Sequence, residues 1–265
     1  KMHAALPQLA QRYAQQPQLA LMLRDVDLYL SVARRLLDDT TVPLYKANQT
    51  SFRELLALVE VEKPAAYNLF STKSRDIDFS QFQVRGHYLD EYRPELARYF
   101  KAVMWLGRTE FYLIPPQQLD APYPFADIQR QIIDALLLQE LVDLSGAGAH
   151  YDKIDEVLTF FIGECDNVTL PHLEELKGST GIASADQLLD SLATAAFQDT
   201  LAKRPFAGQR INSQILWSDP LNPDAVKPAG SFLLLGQRFI IDSYVTGQLV
   251  FDKILHDGIR VPRML

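Results

Sequence analysis

FADIQRQIIDALLLQELV, residues 125–142, decides the architecture of this chain. Ile128, Ile132, Ile133, Leu136, Leu137, Leu138 and Leu141 recur at helical spacing and leave almost no polar side. A helix apolar on nearly every side is stable only where other elements pack around it, so this segment is expected to be the central helix of the fold. It is not a membrane span, because Asp134, Gln139, Glu140 and Asp143 interrupt a run already shorter than the ~18 to 20 apolar residues a bilayer requires.

Working outward, amphipathic patterns flank it on both sides. Ala4 to Gln15 and Gln18 to Leu37 read as an antiparallel helix pair, with Pro17 where its missing N–H costs nothing. Ser51 and Glu54 form a capping-box pattern ahead of Leu55, Leu58 and Val59, and Pro64 weakens or ends that helix. Further helices are expected from Pro94, over His150 to Ile162 with Gly163 as a stop, and over Thr169 to Lys177 ahead of Gly178. Another opens at Ser184, capped with Gln187. The stretch from Ser71 to Asp90 has neither a helical nor a strand period, and long aperiodic connections are often functional.

Alternation appears only in the last third. Ile211, Ser213, Ile215 and Trp217 alternate, a loop with Pro220, Pro223 and Pro228 follows, and Phe232 to Ile241 is a second apolar run. The two runs are candidates to pair. The expected fold is therefore mainly α, an irregular multi-helix bundle in one helical domain over 1–265, with a small β element in the subregion 205–265 and β structure confined mainly to residues after about Arg210. With 265 residues and 48% hydrophobic side chains, the chain has ample material for a core. Its opening at Lys1, with a helical pattern running by Met2, suggests a piece of something longer.

Composition narrows the function. A formal net charge of −7 disfavours nucleic acid as a partner. The single cysteine, Cys165, excludes an internal disulfide and a cysteine-rich metal site, and Asp166 beside it disfavours a thiolate. His172 and Glu175 lie three apart, but no second ligand pair accompanies them, so neither a metal nor a cofactor is implied. Gly146 to His150 follows a helix and lacks the third glycine of a dinucleotide loop; it reads as a helix stop. No nucleophile elbow, phosphate loop or zincin motif occurs.

The helix from Pro94 offers the candidate site. Leu96, Tyr99, Phe100, Val103 and Gly107 share one face and read as core, with Gly107 suited to a close helix crossing. Arg98, Lys101, Trp105 and Arg108 fall opposite, next in sequence to a loop holding Arg85 and His87. Arg85, His87, Lys101, Trp105 and Arg108 are the candidate ligand-binding residues, for an anionic group or a carbohydrate. Gly86 supplies a positive φ that would aim Arg85 and His87, and His87 could act as a general base. The competing reading pairs the cations with carboxylates and buries Trp105 in a second packing face.

FSQFQVRGHY at Phe79 to Tyr88 and ELARYFKAVMWLGR at Glu95 to Arg108 resemble the signature of the bacterial and archaeal family catalogued as domain of unknown function 3160. YDKIDEVLTFFIGECDNVT at Tyr151 to Thr169 and FLLLGQRFIIDSYV at Phe232 to Val245 extend the likeness. Val84 stands where the family pattern has proline. The resemblance carries no established activity; it implies a large, exported or lipid-anchored parent and hence an extracytoplasmic location. Two functions are then expected. The favoured one is a non-catalytic binding or scaffold domain of a larger exported bacterial protein, contacting an anionic or carbohydrate ligand or a neighbouring domain. The alternative is a hydrolase of glycans or another extracellular polymer, using paired carboxylates beside the 71–90 loop.

Overall fold

In a computed structural model of the chain, described over residues 1–116, 122–211, 229–250, 255–256 and 259–260, helices dominate. They are α1 (Met2–Arg12), α2 (Ala20–Asp38), α3 (Gln49–Val61), α4 (Pro94–Arg108), α5 (Phe125–Ser145), α6 (Gly148–Phe161), α7 (Leu170–Thr180), α8 (Ser191–Ala202) and α9 (Ile241–Val250). The strands are β1 (Pro64–Tyr67), β2 (Arg75–Asp78), β3 (Phe111–Ile114), β4 (Gly230–Phe232), β5 (Leu255–His256) and β6 (Ile259–Arg260).

α5 is central, as its sequence requires. Every residue from Gln131 to Val142 is buried, and the helix touches α1, α2, α7, α8 and β3. Gly146 ends it in the left-handed conformation (φ 61°), its N–H returning to Val142 and Asp143 carbonyls. α2 packs on α4, α5 and α3. Tyr29 of α2 stands at the middle of an aromatic cluster, edge-on to Phe70 and Phe111 with centroids 6.5 and 5.1 Å away.

Several expectations need correction. β structure is not confined to residues after Arg210: β1 and β2 form an antiparallel hairpin, and β3 precedes that point as well. β4 pairs antiparallel with β3, setting Phe111 opposite Phe232. The alternating run from Ser213 through Trp217 and the three prolines lie outside the described residues. Residues 71–90 are not aperiodic loop, since β2 is followed by tight 3₁₀ turns at Phe79–Phe82 and Gly86–Tyr88. α3 begins at Gln49, which places Ser51 inside it, and α7 runs through Gly178 to a left-handed Gly181. The boxes at Thr169 with His172 and Ser184 with Gln187 do form.

The face assignment on α4 also changes. Trp105 is core, 1% exposed, whereas Tyr99 is 48% exposed. The helix lies between α2 on one side and the 79–88 turns on the other, so it buries two faces and no single stripe describes it. Gly107 is close-packed, though not against a helix: a Cβ there would stand 2.8 Å from the carbonyl oxygen of Leu235.

The segment Gly230–Phe239 ties distant parts together. On one side it pairs with β3; on the other, Val168 donates to Ser231 at 2.9 Å, Asp166 to Gln237 at 2.8 Å and Phe239 to Glu164 at 2.8 Å. Asn167 occupies the space a side chain at Gly236 would need and donates to the carbonyls of Val168 and Leu233.

Candidate functional site

A cleft opens where β2, the Phe79–Phe82 turn, the end of α4 and the start of β3 meet. Its walls include Leu69, Phe79, Phe82 and Trp105 on the apolar side and Arg75, Asp76, Asp78, Arg108 and Glu110 on the polar side, around a volume of about 40 Å³.

Strand alternation explains the polar wall. Arg75 points in and is 8% exposed, while Asp76 points out to solvent. The Arg75 guanidinium lies over the Tyr112 ring, 4.7 Å from its centroid, and Nη1 donates to the Glu110 carbonyl at 2.9 Å. Glu110 itself is 3% exposed and accepts from Ser231 Oγ at 2.8 Å. Asp78 caps the turn that follows. Burial would raise its carboxyl, but hydrogen bonds from Ser80 and Gln81 outweigh that and hold it below the usual range. Burial lowers the Arg108 guanidinium, opposed by the nearby charges of Glu110 and Asp78.

The residues singled out in the sequence are distributed over three places. Trp105 and Arg108 line this cleft, and the Trp105 indole donates to the Tyr29 carbonyl at 2.9 Å. Lys101 lies instead in an open groove of about 360 Å³ with Arg35, Asp39, Glu60 and Arg98. There it bonds Glu60 at 2.9 Å, and Arg98 meets Asp39 at 3.1 Å. Arg85 and His87 are exposed at the turn made by Gly86 (φ 61°), with Arg85 5.5 Å from the Phe100 ring. The five residues therefore do not share one concavity.

Arg75, Asp76, Asp78, Glu110 and Tyr112 were not singled out by sequence reasoning. The usable signal was the alternation Arg-Asp-Ile-Asp at 75–78, which puts Arg75 and Ile77 on the same face.

A second cluster has the composition of a hydrolytic triad and the wrong proton order. Arg34 Nη1, which can only donate, sits 3.3 Å from His3 Nδ1, so that nitrogen accepts and Nε2 carries the proton. Nε2 then donates to Ser31 Oγ at 3.1 Å, and the Ser31 hydroxyl donates to Asp27 at 3.1 Å. Burial, aided by Arg34, lowers the imidazole pKa. Ser31 thus has no imidazole base to take its proton, and the carboxylate it donates to, Asp27, also holds the backbone N–H groups of Leu44 and Tyr45. The cluster is a strut between α1, α2 and the 44–48 turn. His172, weighed in the sequence as a ligand, accepts from the Thr169 N–H and stacks on Phe206 with centroids 3.9 Å apart. Burial pushes the Cys165 thiol up to about 11.

A family model described as "Protein of unknown function (DUF3160)" matches residues 1–265. The chain belongs to that family. No curated protein and no solved structure matches it. Among the described residues, no helix is long and apolar enough to cross a membrane.

Proposed function

We propose that this chain is a non-catalytic binding or scaffold domain of a larger exported bacterial protein, and that its ligand enters the cleft between β2 and the end of α4. The observation that carries this reading is the composition of that cleft: a fixed arginine, a tryptophan wall and an apolar floor converge from separate elements. Convergence of a few polar groups on an apolar concavity is what recognition of a small group requires. Export rests on the family likeness.

Trp105 makes the reading testable, because an occupant of the cleft alters the surroundings of its indole. The chain has two tryptophans, so Trp217→Phe isolates the signal. Titration with soluble glycan fragments, sugar acids and short peptides is expected to give a saturable fluorescence change, with every ligand recovered intact. Cleavage of any of them would replace this reading with a hydrolase, and a flat response to all of them would remove the cleft as a binding site.

A further inference from the structure

None of the residues of α6 is buried. The helix is moored along one side, where Arg238 donates to Asp155 at 2.8 Å and to the Thr159 hydroxyl at 2.9 Å. With 3.6 residues per turn, Ile154, Val157 and Phe161 lie on a line about 160° round the helix from those two anchors, so they face away from the body of the molecule. All three are exposed, as is Phe160, whose ring meets that of Phe161 edge-on with centroids 5.0 Å apart.

A step of three residues and then four is the spacing of a seam that packs into another helix. The positions flanking it hold Lys153, Leu158 and Phe160, while Asp152, Asp155 and Glu156 lie round the far side, so covering the seam brings no carboxylates together. The seam also tapers, from Phe160 and Phe161 at its C-terminal end to the slimmer Val157 and Ile154. A second α6 running antiparallel sets each copy's phenylalanines beside the other's slim end, which is the self-complementarity a two-fold interface requires. A lipid surface is a poorer match: Lys153 is the helix's one lysine or arginine, and Glu156 already pairs with it at 3.7 Å.

The area is of the right order. At ~150 to 250 Å² for a whole aromatic side chain, the two phenylalanines expose roughly 300 Å², already the size of the largest apolar patch on many monomers. Ile154, Val157 and Ile162 enlarge it, and Ile240 and Ile241 are exposed where the Phe239–Glu164 hydrogen bond joins the end of α6 to the start of α9. A homodimer face of ~800 Å² per partner, ~65% apolar, asks for about 500 Å² of such surface.

We propose that α6 is a homodimerisation helix, pairing antiparallel with α6 of a second copy of this chain about a two-fold axis beside Val157. So short a contact makes a reversible dimer, with a dissociation constant on the order of tens of micromolar. No residue of α6 lines the cleft beside β2, so the two surfaces are tested separately.

The test is sedimentation velocity on the chain from ~1 to ~300 µM, a range across which it is expected to pass from monomer to dimer. Phe160→Ser together with Phe161→Ser should weaken the dimer about tenfold or more. Val157→Asp, which sets two carboxylates face to face at the axis, should keep the chain monomeric throughout. A melting temperature unchanged at low concentration shows that these exposed substitutions leave the fold intact. A wild-type chain that is monomeric at every concentration overturns the assignment, and so does a dimer that survives both sets of substitutions, because another surface must then form it. Monomers that float with phosphatidylcholine–phosphatidylglycerol vesicles, and cease to do so once both phenylalanines are replaced, would give the seam to a lipid surface instead.

Discussion

Arg130 donates to Asp25 through Nε at 2.5 Å and Nη2 at 2.8 Å, a two-bond clamp between α5 and α2. One turn along α5, Asp134 is fully buried, neither of its oxygens finds a donor, and Asp25 is within hydrogen-bonding reach. Burial and the negative charge of Asp25 both push the Asp134 carboxyl well above its usual value, so Asp134 holds a proton and donates it to the clamped Asp25. In the unfolded chain the same carboxyl titrates near 3.8. The folded state therefore binds this proton more tightly, and the stabilisation is whole below that pH and drains away as pH rises through the raised folded value. Asp134→Asn supplies a permanent N–H donor, and its melting temperature should fall less steeply than wild type as pH rises above the unfolded value near 3.8. A variant with the wild-type slope would place the proton elsewhere. On the outer side of α4, Lys101→Met removes the Glu60 pair and should lower stability by under about 1 kcal/mol. A rise in melting temperature there would mean that the groove's cations repel one another and await an anion.

Leu137 is completely buried at the middle of α5. Leu137→Ala is expected to cost about 2 to 5 kcal/mol in a denaturant titration, and a loss under about half a kcal/mol would contradict its central position. That position was readable from one segment, because all-round apolarity is a local property. α1, α2 and α4 were legible from amphipathic periodicity, which is local as well. The pairing of β3 with β4 was not, since Phe111 is a short apolar run whose partner lies far along the chain. The faces of α4 were misread because Trp105 follows Lys101 at i+4 and was grouped with the cations, although α4 is covered on two sides. Arg75 escaped attention for a related reason: the alternation at 75–78 is only four residues long, and the tertiary approach of Glu110 and Tyr112 is what shows which of its faces is buried.

Across the whole molecule, apolar exposure is uneven. α6 buries none of its residues, and Phe160 and Phe161 are 82% and 77% exposed; Ile241, Val245 and Leu249 of α9 are exposed as well. Replacing both phenylalanines by serine is expected to reduce binding of the dye ANS while leaving stability within about half a kcal/mol, as at surface sites. Unchanged dye binding would locate the accessible apolar surface elsewhere. The opposite extreme is the Gly230–Phe239 segment, held on both flanks. Ser231 meets Glu110 across 121 residues of sequence. At ~5 to 20 residues per second of synthesis, Glu110 emerges from the ribosome some 6 to 24 seconds before the hydroxyl that will donate to it. For that interval the nascent chain carries an open strand edge at Phe111–Ile114, which is the kind of surface a chaperone occupies and a stalled ribosome leaves exposed.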